Sequence, residues 1–265
     1  MSDPRPLNGR RALVTGATGG LGLALAEGLA LAGADLILTG LEQTGDFEAQ
    51  RVALESGHDV GVFYRTADFA DPNAIRKVVD EAEREGGVDI LVNNAVVRQF
   101  EPIDALAPED WDRSLAVNLS APFHTIRLLL PGMRKRGFGR IFNMSSVYGS
   151  RGTANRVGYV TTKAAIEGLT RAVSAETLAH DISCHALCPG SVLTPGTDER
   201  VVALMERDAL SRPEAEAEFL RGKQPTGRFI DPAGVTHLMV LLCGPLGKDM
   251  TGSVLPIDGG WLAGQ

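Results

Sequence analysis

Along the chain, short continuous apolar runs alternate with longer stretches whose apolar residues recur every three or four positions. "RRALVTG" is the first run and ends on glycine. "LGLALAEGLALAGA" follows it with the spacing of a helix. "DLILTG" and "GVFYRTADF" read as strands two and three on either side of a polar helix. "DPNAIRKVVDEAEREGG" reads as a helix leading into strand four, "VDILVNNA". "PEDWDRSLAVNLSAPFHTIRLLLPGMRKRG" reads as one long helical stretch and "GRIFNMSS" as strand five. A helix over "NRVGYVTTKAA" then precedes strand six, "ISCHALCPG", and strand seven, "GSVLPIDGG".

Strands that are apolar on both faces and alternate with helices predict an α/β fold, a parallel sheet with helices on both sides. No repeat, linker or low-complexity segment interrupts the pattern, so residues 1–265 read as one domain. The exception to the rhythm is "PGTDERVVALMERDALSRPEAEAEFLRGKQPTGR", residues 195–228, a charged helical insertion between strands six and seven. At the carboxyl end of a strand, a segment of that length is expected to act as a substrate lid.

With 44% hydrophobic residues, the chain can bury a large core. Its 26 basic and 33 acidic residues give a net charge of −7 with no basic run, which argues against a nucleic-acid partner. No apolar stretch reaches the roughly 18–20 residues that cross a bilayer. The polar opening "MSDPRPLNGRR" lacks the apolar segment of a secretory signal. Three cysteines do not make a disulfide scaffold. The expectation is a cytoplasmic protein with no membrane partner. Cys184, His185 and Cys188 sit in "DISCHALCPG", which reads as a buried strand, so packing is expected there rather than a metal.

"TGATGGLG", residues 15–22, lies between strand one and helix one. Gly16, Gly20 and Gly22 permit a tight turn and close approach of a pyrophosphate, and the helix N-terminus supplies N–H donors and positive potential. A dinucleotide is the implied cofactor. Its type is set in "LTGLEQ", where Gly40 and Leu41 are neutral and Glu42 would repel a 2′-phosphate. The glycine turn carries no lysine or arginine either. NAD is therefore expected rather than NADP.

In "NRVGYVTTKAA", Tyr159 and Lys163 stand four positions apart, one above the other on a helix. An ammonium beside a phenol stabilises the phenolate and lowers its reference pKa of roughly 10 toward neutrality. By itself the pair is more often an amphipathic helix face with a snorkelling lysine.

The motifs "TGATGGLG", "NNA", "VNLS", "NMSS" and "YVTTK" occur in that order, and together they resemble the short-chain dehydrogenase/reductase family from about residue 8 to 261. The resemblance implies a Rossmann-type, doubly wound seven-stranded parallel sheet and a homotetramer. It makes Tyr159 the acid/base and Lys163 the group that lowers its pKa and binds the nicotinamide ribose. Ser146 then bonds the substrate oxygen, and Asn118 holds a relay water. For the cofactor it implies Gly16, Thr18, Gly19, Gly20, Leu21 and Gly22 in the turn, with Leu41 after strand two. Asp68 and Phe69 fall near the adenine, and Asn94 and Ala95 near its ribose. Pro189, Gly190, Val192 and Thr194 match the loop that holds the carboxamide. Val96 departs from the family's glycine after "NNA", and its branched side chain should narrow the cofactor groove.

"AVNLSAPFH", "GFGRIFNMSS", "GKQPTGRF" and "IDGGW" are similar to stretches of the 3-hydroxybutyrate dehydrogenase branch. That branch holds a small carboxylate with two glutamines, a histidine and a lysine. The matching positions here are Arg98, Tyr148, Arg156 and Arg200, and Ser191 replaces the branch's tryptophan. Arginine offers a planar fork to carboxylate, sulfonate or phosphate oxygens. The expectation is an NAD-dependent oxidoreductase for a hydroxyl on an anionic substrate, such as a hydroxy acid, sugar acid or hydroxysulfonate. The alternatives are a neutral sugar or polyol dehydrogenase whose arginines face water, and a non-catalytic NAD sensor. The intact set Asn118, Ser146, Tyr159 and Lys163 argues against the sensor, which has no need of a base.

Overall fold

The computed structural model describes residues 5–264, so the first four residues of the polar opening segment and Gln265 lie outside the described part. Seven strands form the sheet: β1 (Arg11–Val14), β2 (Asp35–Gly40), β3 (Val62–Thr66), β4 (Ile90–Asn93), β5 (Gly139–Met144), β6 (Ile182–Pro189) and β7 (Val254–Ile257). All pair in parallel, in the order β3-β2-β1-β4-β5-β6-β7. The seven expected strands and the doubly wound parallel sheet are all present.

Among the described residues, ten α-helices accompany them: α1 (Gly20–Leu31), α2 (Thr44–His58), α3 (Pro72–Arg84), α4 (Pro108–Leu115), α5 (Ala121–Arg136), α6 (Val157–Thr177), α7 (Pro195–Asp208), α8 (Arg212–Leu220), α9 (Pro232–Cys243) and α10 (Pro245–Asp249). One apolar layer packs Leu25 and Leu29 of α1, Phe47 of α2 and Met239 of α9 against Val14, Leu36 and Val92 of the sheet. The opposite layer packs Ile75 of α3, Leu129 of α5 and Val173 of α6 against Leu13, Ile37, Leu91 and Ile141. Successive strand residues point to opposite faces, and both faces are covered. That is why the strands read as unbroken apolar runs. Burial of each such side chain contributes roughly 1.5–3 kcal/mol.

The chain turns one way from β1 to β3 and the other way from β4 to β7, so the connections leaving β1 and β4 diverge. Their carboxyl ends open a crevice at this switch point, where doubly wound sheets bind ligands. The glycine turn follows β1 and "NNA" follows β4, so both motifs meet there.

The long helical stretch differs from its sequence reading. Between α4 and α5 lies a π turn, Ala116–Ser120, in which the Ala121 N–H reaches back five residues to the Ala116 carbonyl. Pro122 has no N–H to offer the carbonyl four residues before it, that of Asn118. The ordinary helical bond is therefore absent at the residue with an expected site role. Such turns often mark functional positions.

Cys184 belongs to the layer of α3, α5 and α6, whereas the His185 ring stacks on Phe142 of the other layer, 5.9 Å between centroids. The sheet separates the two residues, so they do not converge on one ion. No helix among the described residues is long and apolar enough to cross a membrane.

Candidate active site

At the switch point the two chain segments touch. A Cβ on Gly16 would lie 2.8 Å from the Ala95 Cα, and Gly16 has φ +62°, where a side chain is also strained. A Cβ on Gly22 would lie 2.1 Å from the Gly16 carbonyl oxygen. Asn94 ties the turn down by donating from its amide to the carbonyls of Thr15 (3.0 Å) and Gly16 (2.9 Å). The Thr15 hydroxyl accepts from the Asn94 and Ala95 N–H groups, both at 3.0 Å. Nothing lies within 4 Å of a Cβ built on Gly19, so the turn is open on the side where a pyrophosphate would approach. This cradle fits a dinucleotide.

Two clefts meet here. The larger, about 340 Å³, is lined by Gly19, Gly20, Leu21 and Gly22, by Asn94 and Ala95, and by the Pro189–Thr194 loop. The smaller, about 180 Å³, is lined by Thr18, Leu41, Asp68 and Phe69. The expected carboxamide residues and most of the turn lie in the larger cleft and Leu41, Asp68 and Phe69 in the smaller; Thr18 of the turn lines the smaller, Asn94, expected beside the adenine ribose, lines the larger, and Gly16 and Ala95 line both. Val96 lines both. Arg113, which the sequence reading passed over, also faces the adenosine cleft, 3.3 Å from the Asp68 carboxylate.

Tyr159 stands in the first turn of α6, where the helix's positive end favours a phenolate. It is buried, and Lys163 one turn later is more so, at 9% and 4% exposure. Lys163 donates from Nζ to the Met144 carbonyl at 2.5 Å and lies 5.5 Å from the Tyr159 ring centroid. Burial pushes the Tyr159 pKa up, but Lys163, Arg98 and hydrogen bonding by Ser146 outweigh it and hold it below the usual phenol range. Burial likewise holds the Lys163 ammonium below its usual range, partly opposed by Tyr159. Ser146 caps the 3₁₀ turn Val147–Gly149, accepting from the Tyr148 N–H at 3.3 Å.

Asn118 commits its side chain to protein partners. It is 2% exposed, and its amide accepts from the Val97 N–H (2.9 Å) while donating to the Val97 carbonyl (3.0 Å) and to Thr162 (3.3 Å). Its side chain thereby fixes the loop after β4 against α6. A second buried network does the same for the sheet. Asn93 donates to Asn143 at 2.8 Å, Thr125 donates to Asn93 at 2.8 Å, and Asn143 donates to Thr170 at 2.9 Å.

Arg98, Arg156 and Arg200 all line the larger cleft, with Tyr148 and Ser191. The Arg98 Cζ lies 5.5 Å from the Tyr159 ring centroid. Arg156 and Arg200 share the Phe100 ring, at 4.7 and 5.2 Å. Sequence reasoning missed further wall residues, among them Phe100, Phe219, Lys223 and Trp261. Lys223 and Trp261 lie inside the quoted "GKQPTGRF" and "IDGGW", which were available as a signal. Gln224 was missed as well; its buried amide oxygen accepts from the Ser191 N–H and fixes the Pro189–Thr194 loop.

The short chain dehydrogenase family matches residues 10–203. The chain is 38% identical to D-beta-hydroxybutyrate dehydrogenase of Cupriavidus necator, across 97% of this chain and 99% of that protein. It is 37% identical to 2-keto-3-deoxy-L-fuconate dehydrogenase of Xanthomonas campestris, across 96% of this chain and 81% of that protein. Among solved structures, L-sorbose reductase of Gluconobacter frateurii, complexed with NADPH and L-sorbose, superposes with a TM-score of 0.92. That pair is 29% identical, with 99% of this chain and 100% of the reductase covered. With the glycine turn, the serine and the tyrosine–lysine pair in place at one switch-point crevice, the chain belongs to the short-chain dehydrogenase family of oxidoreductases.

Proposed function

We propose that the protein is an NAD-dependent oxidoreductase that interconverts a secondary hydroxyl and a ketone on an anionic substrate: a hydroxy acid, sugar acid or hydroxysulfonate. The observation that carries this reading is the larger cleft itself. It joins the Tyr159–Lys163 pair to three arginines, and no aspartate or glutamate lines it among the described residues.

In the oxidising direction, the Tyr159 phenolate accepts the substrate's O–H proton while Ser146 donates a hydrogen bond to the same oxygen. A nicotinamide held at the glycine turn would supply the hydride acceptor for the carbon. Lys163 and Arg98 stabilise the phenolate that must exist before the step. In reduction the neutral phenol returns the proton. The arginines fix the acid group, and with it the distance from the reacting hydroxyl to Tyr159.

The ribose end supports the reading of NAD rather than NADP. A Cβ on Gly40 would lie 2.7 Å from the Glu42 carboxylate, so that carboxylate folds over the end of β2 beside Thr18. A carboxylate there suits ribose hydroxyls and repels a 2′-phosphate. Arg113, in the same cleft, is already engaged by Asp68.

A neutral sugar or polyol substrate is the second reading, favoured by the likeness to L-sorbose reductase. Matched pairs of hydroxy acids and their neutral alcohol counterparts, assayed with NAD and NADP, separate the two. Preference for the acids supports the proposal. Equal use of both, or preference for the alcohols, overturns it.

A further inference from the structure

The substrate half of the larger cleft carries more positive charge than one small acid neutralises. Arg98, Arg156, Arg200 and Lys223 line it together. They come from separate pieces of chain. Arg98 is on the loop after β4, Arg156 is the N-cap of α6, Arg200 is in α7, and Lys223 follows α8. Three lid acids are paired elsewhere: Asp208 with Arg207, Asp198 with Arg212 and Glu218 with Arg221. None of the four cleft cations pairs with a carboxylate in this way among the described residues. Glu199 acts on Arg200 only at longer range and does not line the cleft.

The cost of this crowding shows on the lid. Burial, then Arg156 and Arg98, hold the Arg200 guanidinium below its ordinary range. Burial, then Arg156 and Arg200, do the same to the Lys223 ammonium, which donates to the Phe219 carbonyl at 2.6 Å. Like charges gathered without a counter-charge cost folding energy. The chain keeps them, as a binding site for negative charge does.

The charges fall into two groups. Arg98 lies over Tyr159, at the reacting end. Arg156 and Arg200 gather around Phe100, with Arg156 also 5.2 Å from the Tyr148 ring. Lys223 belongs with them, since Arg156 and Arg200 both act on it. Arg156 is three residues before Tyr159, one helical turn, or about 5 Å between side-chain origins. A short chain spans that distance.

We infer that the substrate is doubly negative: a hydroxy acid with one acid group beside the reacting carbon at Arg98, and a second anionic group held by Arg156, Arg200 and Lys223. This rests on the reading that Tyr159 oxidises a hydroxyl here, and it adds the second charge. It also gives the lid a reason to close. Lid cations repel core cations until an anion bridges them, so the distal group joins α7 and α8 to α6.

Calorimetric titration of the protein saturated with NADH, using butyrate, glutarate and 4-sulfobutyrate, tests the second charge without requiring turnover. Glutarate or 4-sulfobutyrate should bind at least ~10-fold more tightly than butyrate, the factor of one well-placed charge contact. Whichever binds better identifies the distal group as carboxylate or sulfonate. In the double variant Arg200→Met/Lys223→Met that preference should collapse. Butyrate binding as tightly as both diacids, or a preference that survives in the double variant, overturns the inference. Turnover of 3-hydroxyglutarate and 3-hydroxybutyrate, followed in parallel, tests the underlying reading separately. Tight diacid binding with no oxidation of either would remove the hydroxyl chemistry and keep the two-charge site.

Discussion

Replacing Arg156 with alanine separates substrate recognition from structural support. A charge-assisted contact contributes about 1.5–3 kcal/mol, so kcat/KM for an acid substrate should fall roughly 10- to 200-fold at 1.36 kcal/mol per decade. A neutral analogue without the acid group should be nearly unaffected. The helix should survive the change. Arg156 is the N-cap of α6 but makes no side-chain capping bond. A cation at that end opposes the helix dipole by about 0.3–1 kcal/mol. Against that relief stand its contacts with Phe100 and Tyr148, about 0.5–1 kcal/mol each at exposed sites. The two effects offset to within about 1 kcal/mol, so Tm should move by no more than roughly 2–4 °C. Steady-state kinetics on the matched pair, with calorimetric melting, read both quantities. Equal losses on both substrates with a large drop in Tm would show that Arg156 merely supports the helix.

Arg98→Gln removes one of the two cations that hold the Tyr159 pKa down. The phenolate is the active form in oxidation, so the acid limb of the kcat/KM–pH profile should move to higher pH; an unmoved limb would disconnect Arg98 from the tyrosine. NAD should be used at least ~10-fold more efficiently than NADP, about 1.4 kcal/mol, and Glu42→Ala should narrow that ratio; an NADP preference in the parent chain would refute the reading of the ribose end. Backbone amides of α7 and α8 should exchange more slowly with NADH and a bound acid than with NADH alone; identical exchange would remove the lid role.

The sheet was legible because its strands are buried on both faces, so continuous runs such as "ALV" and "DILV" could not be solvent-facing loops. The cofactor turn was legible for a related reason, since Gly16 and Gly22 have no room for a side chain. The π turn was not. "AVNLSAP" is compatible with an ordinary helix on apolar spacing, and the informative residue is Pro122, whose missing N–H acts four positions away on Asn118. Asn118 was singled out by its motif, but its bonds to Val97 exist only once the loop after β4 folds back on α6. Phe100 lies on an irregular loop, where no periodicity announces which way a side chain faces. Lys223 follows a helix rich in charge, and only its place in "GKQPTGRF" distinguishes it from Arg221, which pairs with Glu218. The cation cluster is a product of tertiary placement.

The central claim is that Tyr159 moves the proton in hydroxyl–ketone exchange on a cofactor held at the glycine turn. Tyr159→Phe keeps the ring between Lys163 and Tyr148 and deletes only the oxygen. NAD-linked oxidation of the best acid substrate should be measured alongside NADH binding by fluorescence titration. The account predicts that NADH still binds while kcat falls roughly 10²- to 10⁴-fold, the worth of a positioned acid–base group. A variant that turns over at near the parent rate would contradict it.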